Sequence, residues 1–253
     1  MGSAADRDVR ARLGVLVPAG NPTIEPELYR MAPRTVTIHF ARLESMAGEP
    51  GAADGMERRT LGYLDAVPAA VRALADVKPG VVVLAHTAVS YLTGFAGESA
   101  LLDRLAGLPR AQPLTAARAI LEALRHLGVR RLSLATPYPE PIAAAGRQYW
   151  QAAGFEVVAH QRLPGVANIY DESETRAYDL GRAADVAGAD AILISGTGLP
   201  TAGIVERLER DLGKPVVTSQ TATLWRALAM LGAGEPVRGY GRLLAATASG
   251  CGP

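Results

Sequence analysis

The sequence predicts an α/β fold built as two similar lobes, each with a parallel sheet, and three observations carry the prediction. Short apolar, β-branched-rich runs alternate with helical stretches along the chain, the pattern of parallel strands covered by helices on both faces. One strand-loop unit occurs twice, as Gly80-Val-Val-Val-Leu-Ala-His86-Thr-Ala-Val-Ser-Tyr91 and as Ala189-Asp-Ala-Ile-Leu-Ile-Ser195-Gly-Thr-Gly-Leu-Pro200. Each copy reads as a fully buried strand that stops abruptly at small and hydroxyl residues. Two more segments pair in the same order, residues 13–18 with 132–137 and residues 113–128 with 215–232. The lobes are therefore expected to be flavodoxin-like and related by a pseudo-twofold axis. The first would comprise 1–114 and 219–253, and the second 115–218. Ligands of open α/β sheets sit at the carboxyl ends of the strands, so function is expected where the polar loops 86–91 and 196–201 face each other across a cleft.

In order along the chain, residues 1–11 read as a loosely attached leader and 13–17 as a buried strand ended by Pro18-Ala-Gly-Asn21-Pro22. Glu25, Pro26 and Glu27 suit the first turn of a helix, where proline is tolerated and carboxylates oppose the dipole. Residues 35–40 alternate as a strand does, and 43–54 form a Gly/Pro-containing loop long enough to cover a site. Residues 56–77 are helical by period, with Pro68 kinking the helix or starting a second one. Strand 81–85, helix 98–106 and a linker-like 109–113 follow. A helix over 115–127 is closed by Gly128. The second half reads as strand 131–135, helix 139–153, strand 155–160, loop 163–173, helix 174–187, strand 191–195, helix 201–212, strand 215–218 and helix 221–231 closed by Gly232. Residues 238–245 read as a last helix or strand.

Composition bounds the function. The 253 residues can bury a substantial core, with 49% hydrophobic and 20% charged residues and a net charge of +1. Lys and Arg are spread along the chain, which gives no nucleic-acid footprint. No apolar run approaches the length of a membrane span, and the polar N-terminus lacks an apolar signal region. The single cysteine, Cys251, excludes a disulfide within the chain and points to the cytoplasm. No spacing among the four histidines and the nearby acids resembles a metal site. Gly196-Thr-Gly198 lacks the rest of a dinucleotide fingerprint, and no Gly-x-Ser-x-Gly elbow is present.

Three local patterns resemble the aspartate/glutamate racemase superfamily, and within it the branch of maleate cis-trans isomerase and arylmalonate decarboxylase. The opening Gly14-Val-Leu-Val-Pro-Ala-Gly-Asn21-Pro-Thr-Ile-Glu25-Pro-Glu27 is similar to the isomerase opening, where an asparagine precedes an acidic helix start. Tyr138 in Ala135-Thr-Pro-Tyr138 stands where that family has a substrate-binding tyrosine, and Asn168 resembles a second asparagine that holds substrate. The resemblance implies the two-lobed fold, a small carboxylate substrate, no cofactor and a homo-oligomer. It also implies two cysteines, one at each strand-loop junction. Aligning the junctions puts His86 at the first position and Gly196 at the second, so neither thiol is present.

What remains suits anion binding and proton transfer. Thr87, Ala88, Ser90 and Tyr91 follow the first junction, and Thr197 and Gly198 follow the second. Thr201 and the amides after it sit at an expected helix start, which favours a carboxylate. With Asn21, Tyr138 and Asn168 these are the expected substrate-binding groups. His86 is the expected proton-transfer residue because imidazole gives and takes protons near neutrality. Tyr138 is expected to assist it, with Tyr91 as a further acid. The function expected is a cofactor-independent enzyme acting on a small carboxylate or dicarboxylate by proton transfer, as a decarboxylase, tautomerase or lyase. The alternatives are a maleate isomerase-like cis-trans isomerase and a non-catalytic protein that kept the carboxylate cleft.

Overall fold

The computed structural model describes residues 11–45, 49 and 51–246. Its elements run β1 (Ala11–Pro18), α1 (Ile24–Met31), β2 (Val36–Leu43), α2 (Met56–Ala73), β3 (Val81–Leu84), α3 (Thr87–Thr93), α4 (Glu98–Leu105), β4 (Gln112–Thr115) and α5 (Ala116–His126). The second half continues with β5 (Arg131–Thr136), α6 (Glu140–Ala152), β6 (Glu156–Arg162), α7 (Glu174–Ala183), β7 (Ala191–Ile194), α8 (Val205–Leu212), β8 (Val216–Thr218), α9 (Ser219–Met230) and α10 (Arg242–Ala245). The strands form two four-stranded sheets, ordered β2-β1-β3-β4 and β6-β5-β7-β8, and every pairing is parallel. The two sheets are wound alike, which makes β1 the equivalent of β5 and β3 the equivalent of β7. The expected leader before Ala11, Cys251 and part of the 43–54 loop lie outside the described residues. No helix among the described residues is long and apolar enough to cross a membrane.

The central strands read well because both of their faces are covered. All four residues of β3 and all four of β7 are buried, so no polar alternation is needed. Helices α5 and α9, which follow the last strand of each sheet, pack on each other. Helices α3 and α6 meet at a second contact between the halves. There the rings of Tyr91, Tyr149 and Trp150 stand 5.0–6.1 Å apart, tilted or edge-on, the geometry that aromatic quadrupoles favour. Gly146 permits the approach: a Cβ there would lie 2.8 Å from the Tyr91 ring.

Several boundaries differ from the sequence reading. Residues 109–113 were expected to be a linker, yet Gln112 and Pro113 belong to β4 and pair with Val81 and Val82. β4 is an edge strand, where a proline lacking its N–H is tolerated. The segment after Ala85, expected as a loop, is the helix α3 with His86 at its N-cap. Helix α8 starts at Val205 rather than 201, and α7 ends at Ala183 rather than 187. Of residues 238–245, expected as a helix or strand, only Arg242–Ala245 form an element, the short helix α10. Pro68 lies inside α2 and does not end it. A proline deprives the carbonyl four residues earlier of its donor, and that carbonyl, Leu64 O, instead accepts from Arg104 Nη1 at 3.4 Å.

Candidate active site

The carboxyl ends of β1, β3, β5 and β7 converge on one cavity. Asn21, His86, Tyr138, Thr197 and Gly198 line it from these four strand ends. Met56, Arg59, Thr60 and Tyr63 of α2, the turn residues Ile169 and Tyr170, and Gly51 complete the wall. The enclosed space is about 20 Å³, room for roughly one water molecule. A strap from the first half closes over it. Ala52 bridges Asn168, Ala53 N donates to Ala167 O at 2.8 Å, and Ile169 N donates to Gly51 O at 3.0 Å.

His86 caps α3. Its Nδ1 accepts the Val89 amide at 3.3 Å, satisfying one of the donors that every helix start leaves open. Since Nδ1 is the acceptor, the ring proton belongs on Nε2. Tyr63 lies against the ring at 5.4 Å between centroids. Burial is the main cause that lowers the His86 pKa to about 4, and the Arg59 cation pushes the same way, against its own carbonyl. The imidazole is therefore neutral at pH 7.

The hydroxyls divide into two groups. Tyr138 OH lies 2.7 Å from Thr87 Oγ1 and lines the cavity. Burial raises its pKa, opposed by the Thr87 hydroxyl and the Ala88 amide, so it remains a phenol. Ser90 and Tyr91 do not line the cavity. Ser90 Oγ donates to the buried Glu98 Oε1 at 3.4 Å. Tyr91 OH is 2.5 Å from Ser195 Oγ and accepts from Trp150 Nε1 at 2.9 Å. Ala88 is buried, and its amide acts on the Tyr138 hydroxyl. Asn168 stands behind the wall, where its Oδ1 accepts from Tyr170 N at 2.9 Å and caps the 169–171 turn.

The loop after β7 is held from across the cleft. Asn21 Oδ1 accepts from Thr23 N at 2.9 Å and Ile24 N at 3.3 Å, starting α1, while its Nδ2 donates to Thr197 O at 3.2 Å. Thr23 Oγ1 donates to Gly198 O at 3.0 Å, and Thr197 Oγ1 donates to Ala85 O at 2.9 Å. Gly196 donates its amide to Ser219 Oγ at 3.0 Å. Its φ of +146° and the approach of Pro137, 3.0 Å from a Cβ placed there, leave no relaxed site for a side chain. The amides of Thr201 and Ala202, expected to attract a carboxylate ligand, already hold one. Glu27 Oε1 accepts from both at 2.8 Å. Burial raises the Glu27 pKa to about 7 against these two bonds and the nearby Arg30, and its Oε2 is buried without a hydrogen-bond partner.

Sequence reasoning missed the α2 wall. Arg59 is 3% exposed, donates to Asp54 O at 3.3 Å and also to Ala52 O, and so holds the strap from below. The available signal was its place in the apolar stripe of α2, with Met56 and Tyr63 one turn either side. Tyr63 and Tyr170 both have pKa values raised by burial, with Arg59 acting to lower each. Among the described residues no group of three or more His, Cys, Asp or Glu is placed to hold a metal ion.

Known proteins share this architecture. A family model described as arylmalonate decarboxylase matches residues 13–244. A maleate isomerase of Nocardia farcinica is 30% identical over 252 residues, covering 92% of this chain and 95% of its own. An arylmalonate decarboxylase of Bordetella bronchiseptica is 33% identical over 180 residues, covering 64% of this chain and 70% of its own. Among solved structures, a mutant Nocardia farcinica maleate cis-trans isomerase with a covalently bound succinylcysteine intermediate superposes with a TM-score of 0.82 at 27% identity, covering 93% of this chain and 98% of that one.

Proposed function

The chain belongs to the arylmalonate decarboxylase family, and on that premise we propose that it is a cofactor-independent enzyme that removes carbon dioxide from a small dicarboxylate and delivers a proton in its place. The observation that carries this reading is the state of His86. The succinylcysteine of the isomerase relative requires a thiol at the reacting carbon. Here the junctions after β3 and β7 carry His86 and Gly196, and the lone cysteine is Cys251. A neutral imidazole whose Nδ1 accepts a backbone amide offers Nε2–H and no free lone pair. It suits proton delivery better than proton abstraction, which favours decarboxylation over tautomerisation.

The cavity encloses only about 20 Å³, so in the proposed reaction a substrate enters as Gly51, Ala52 and Ala53 draw back from the 167–169 turn; the bond between its α-carbon and one carboxylate then breaks. Its electron pair passes into the remaining carboxylate as an enediolate, and carbon dioxide leaves. Donors set around the cleft, Tyr138 OH with Thr87 behind it and the Asn21 amide beside Thr197 and Gly198, stabilise the charge that develops. The α-carbon then takes the proton from His86 Nε2 and forms its C–H bond; the imidazolate left behind takes a proton from water, and the hydroxide released is consumed by the carbon dioxide as bicarbonate. A second reading, a carboxylate-binding protein without catalysis, draws on the absence of both thiols.

Incubation in deuterium oxide with substituted malonates, maleate, and 2-oxo and 2-hydroxy acids, followed by NMR, separates the two. A malonate should lose carbon dioxide and its product should gain one deuterium at the α-carbon. Binding of a candidate with neither reaction nor exchange would transfer the case to the non-catalytic reading. His86→Ala should lower the rate by about a hundredfold or more, the usual scale for a positioned acid or base. An unchanged rate would remove His86 from the mechanism.

A further inference from the structure

We propose that a groove at the amino ends of the first sheet's strands binds an organic phosphate, a phosphate monoester carried on a small apolar body. Arg12, the second residue of β1, lines this groove with Gly80, which precedes β3, and with Lys78 and Arg110. Asn21 and His86 follow the other ends of the same two strands, so the groove and the cavity lie at opposite ends of the sheet. Occupation of the groove does not depend on the chemistry proposed for the cavity. The sheet fixes its floor: Gly80 N donates to Arg12 O and Gln112 N donates to Gly80 O, both at 2.9 Å.

Three cations and no carboxylate line this groove of about 510 Å³, a volume within the range of small-molecule sites. Arg12, Lys78 and Arg110 are exposed, and among the described residues none of their side chains makes a hydrogen bond or an ion pair. Asp76, the acid nearest Lys78 in sequence, is exposed on the preceding turn and does not line the groove. Lys78 and Arg110 are also the two non-glycine residues with positive φ among the described residues, at +53° and +73°. Glycine takes that conformation freely, and a residue with a Cβ does not. Backbone strain of this kind gathers at ligand clamps, and here both strained positions bring a cation to one groove. Pro79, Leu108 and Pro109 supply apolar surface beside them. The three terminal oxygens of a phosphate monoester match three cations, and a guanidinium fork suits them. The apolar surface then takes the group that the phosphate esterifies.

Titration calorimetry at about pH 7.5 would use phenyl phosphate, which carries close to two negative charges there, with inorganic phosphate and benzoate as comparisons. Phenyl phosphate should bind one to one and at least about tenfold more tightly than either. Lys78→Gly combined with Arg110→Gly removes two charges at positions whose backbone glycine accepts without strain. Circular dichroism should show that this double variant is folded, and its affinity for phenyl phosphate should fall at least about tenfold. Arg12→Gln, on a different element, should weaken binding as well. Arg125→Gln combined with Arg147→Gln removes two exposed charges from α5 and α6 and should leave binding unchanged. The site is overturned if phenyl phosphate does not bind saturably, if the Lys78 and Arg110 variant binds it as the wild type does, or if the Arg125 and Arg147 variant loses as much. Inorganic phosphate or benzoate binding as tightly as phenyl phosphate overturns the ligand class.

Discussion

Glu27 and His86 are both shifted by burial, and in opposite directions. The Glu27 carboxyl is pushed up to about 7 chiefly by burial, with Glu174 adding to the rise while the Thr201 and Ala202 amides and Arg30 oppose it. Its folded pKa lies above its unfolded one, so its contribution to stability is full below about 4.5 and is lost as pH rises through 7. The loss is on the order of 3 kcal/mol. Glu27→Gln keeps an acceptor for the two amides and removes the titration, so urea midpoints measured between pH 5 and 8.5 should flatten in the variant; an unchanged slope would mean another group titrates. His86 works in the other direction. Its folded pKa is lowered to about 4, so its contribution is present above about 6.5 and is lost as pH falls through 4. A profile of kcat/KM against pH should accordingly show no inflection near 6.5 from this residue. An inflection there that disappears in His86→Ala would contradict the neutral state.

At the scale of elements, the strands were legible and the site was legible only in part, for identifiable reasons. β3 and β7 announce themselves because a strand buried on both faces needs an unbroken apolar run. β4 was hidden because Pro113 reads as a linker residue, and only its edge position makes it tolerable. α3 was hidden because Thr87, Ser90 and Thr93 are poor helix formers, and because the cap is a histidine ring rather than a serine or aspartate. Arg59 was passed over because an arginine within a helical period normally marks the solvated face, and nothing local reveals that the strap covers it. The Thr201 amides were recognised as an anion seat, but their occupant comes from α1, 174 residues away in sequence, which no local pattern discloses. The contact of α3 with α6 gives an element-scale prediction. Gly146→Ala drives a methyl to 2.8 Å from the Tyr91 ring, so chemical denaturation should show a loss of about 1–3 kcal/mol, as overpacking of a tight contact does. A neutral or stabilising result would show that Tyr91 can give way and that the aromatic contact between the halves is looser than its geometry.

For the whole molecule, the internal symmetry is a property of the backbone that the side chains have broken. The two sheets share one winding order, and their equivalent junctions flank one cavity. The first junction carries His86, the acid of the proposed reaction, and the second carries Gly196, whose φ of +146° and contact with Pro137 exclude a relaxed side chain. In that reaction a prochiral enediolate bound between them has two faces and takes its proton from His86 on only one. The product of a malonate with two different substituents should therefore be a single enantiomer, read by chiral chromatography, and a racemic product would mean that protonation occurs from solvent. Handedness in the product would be the chemical record of the lost equivalence between two halves that the fold still builds alike.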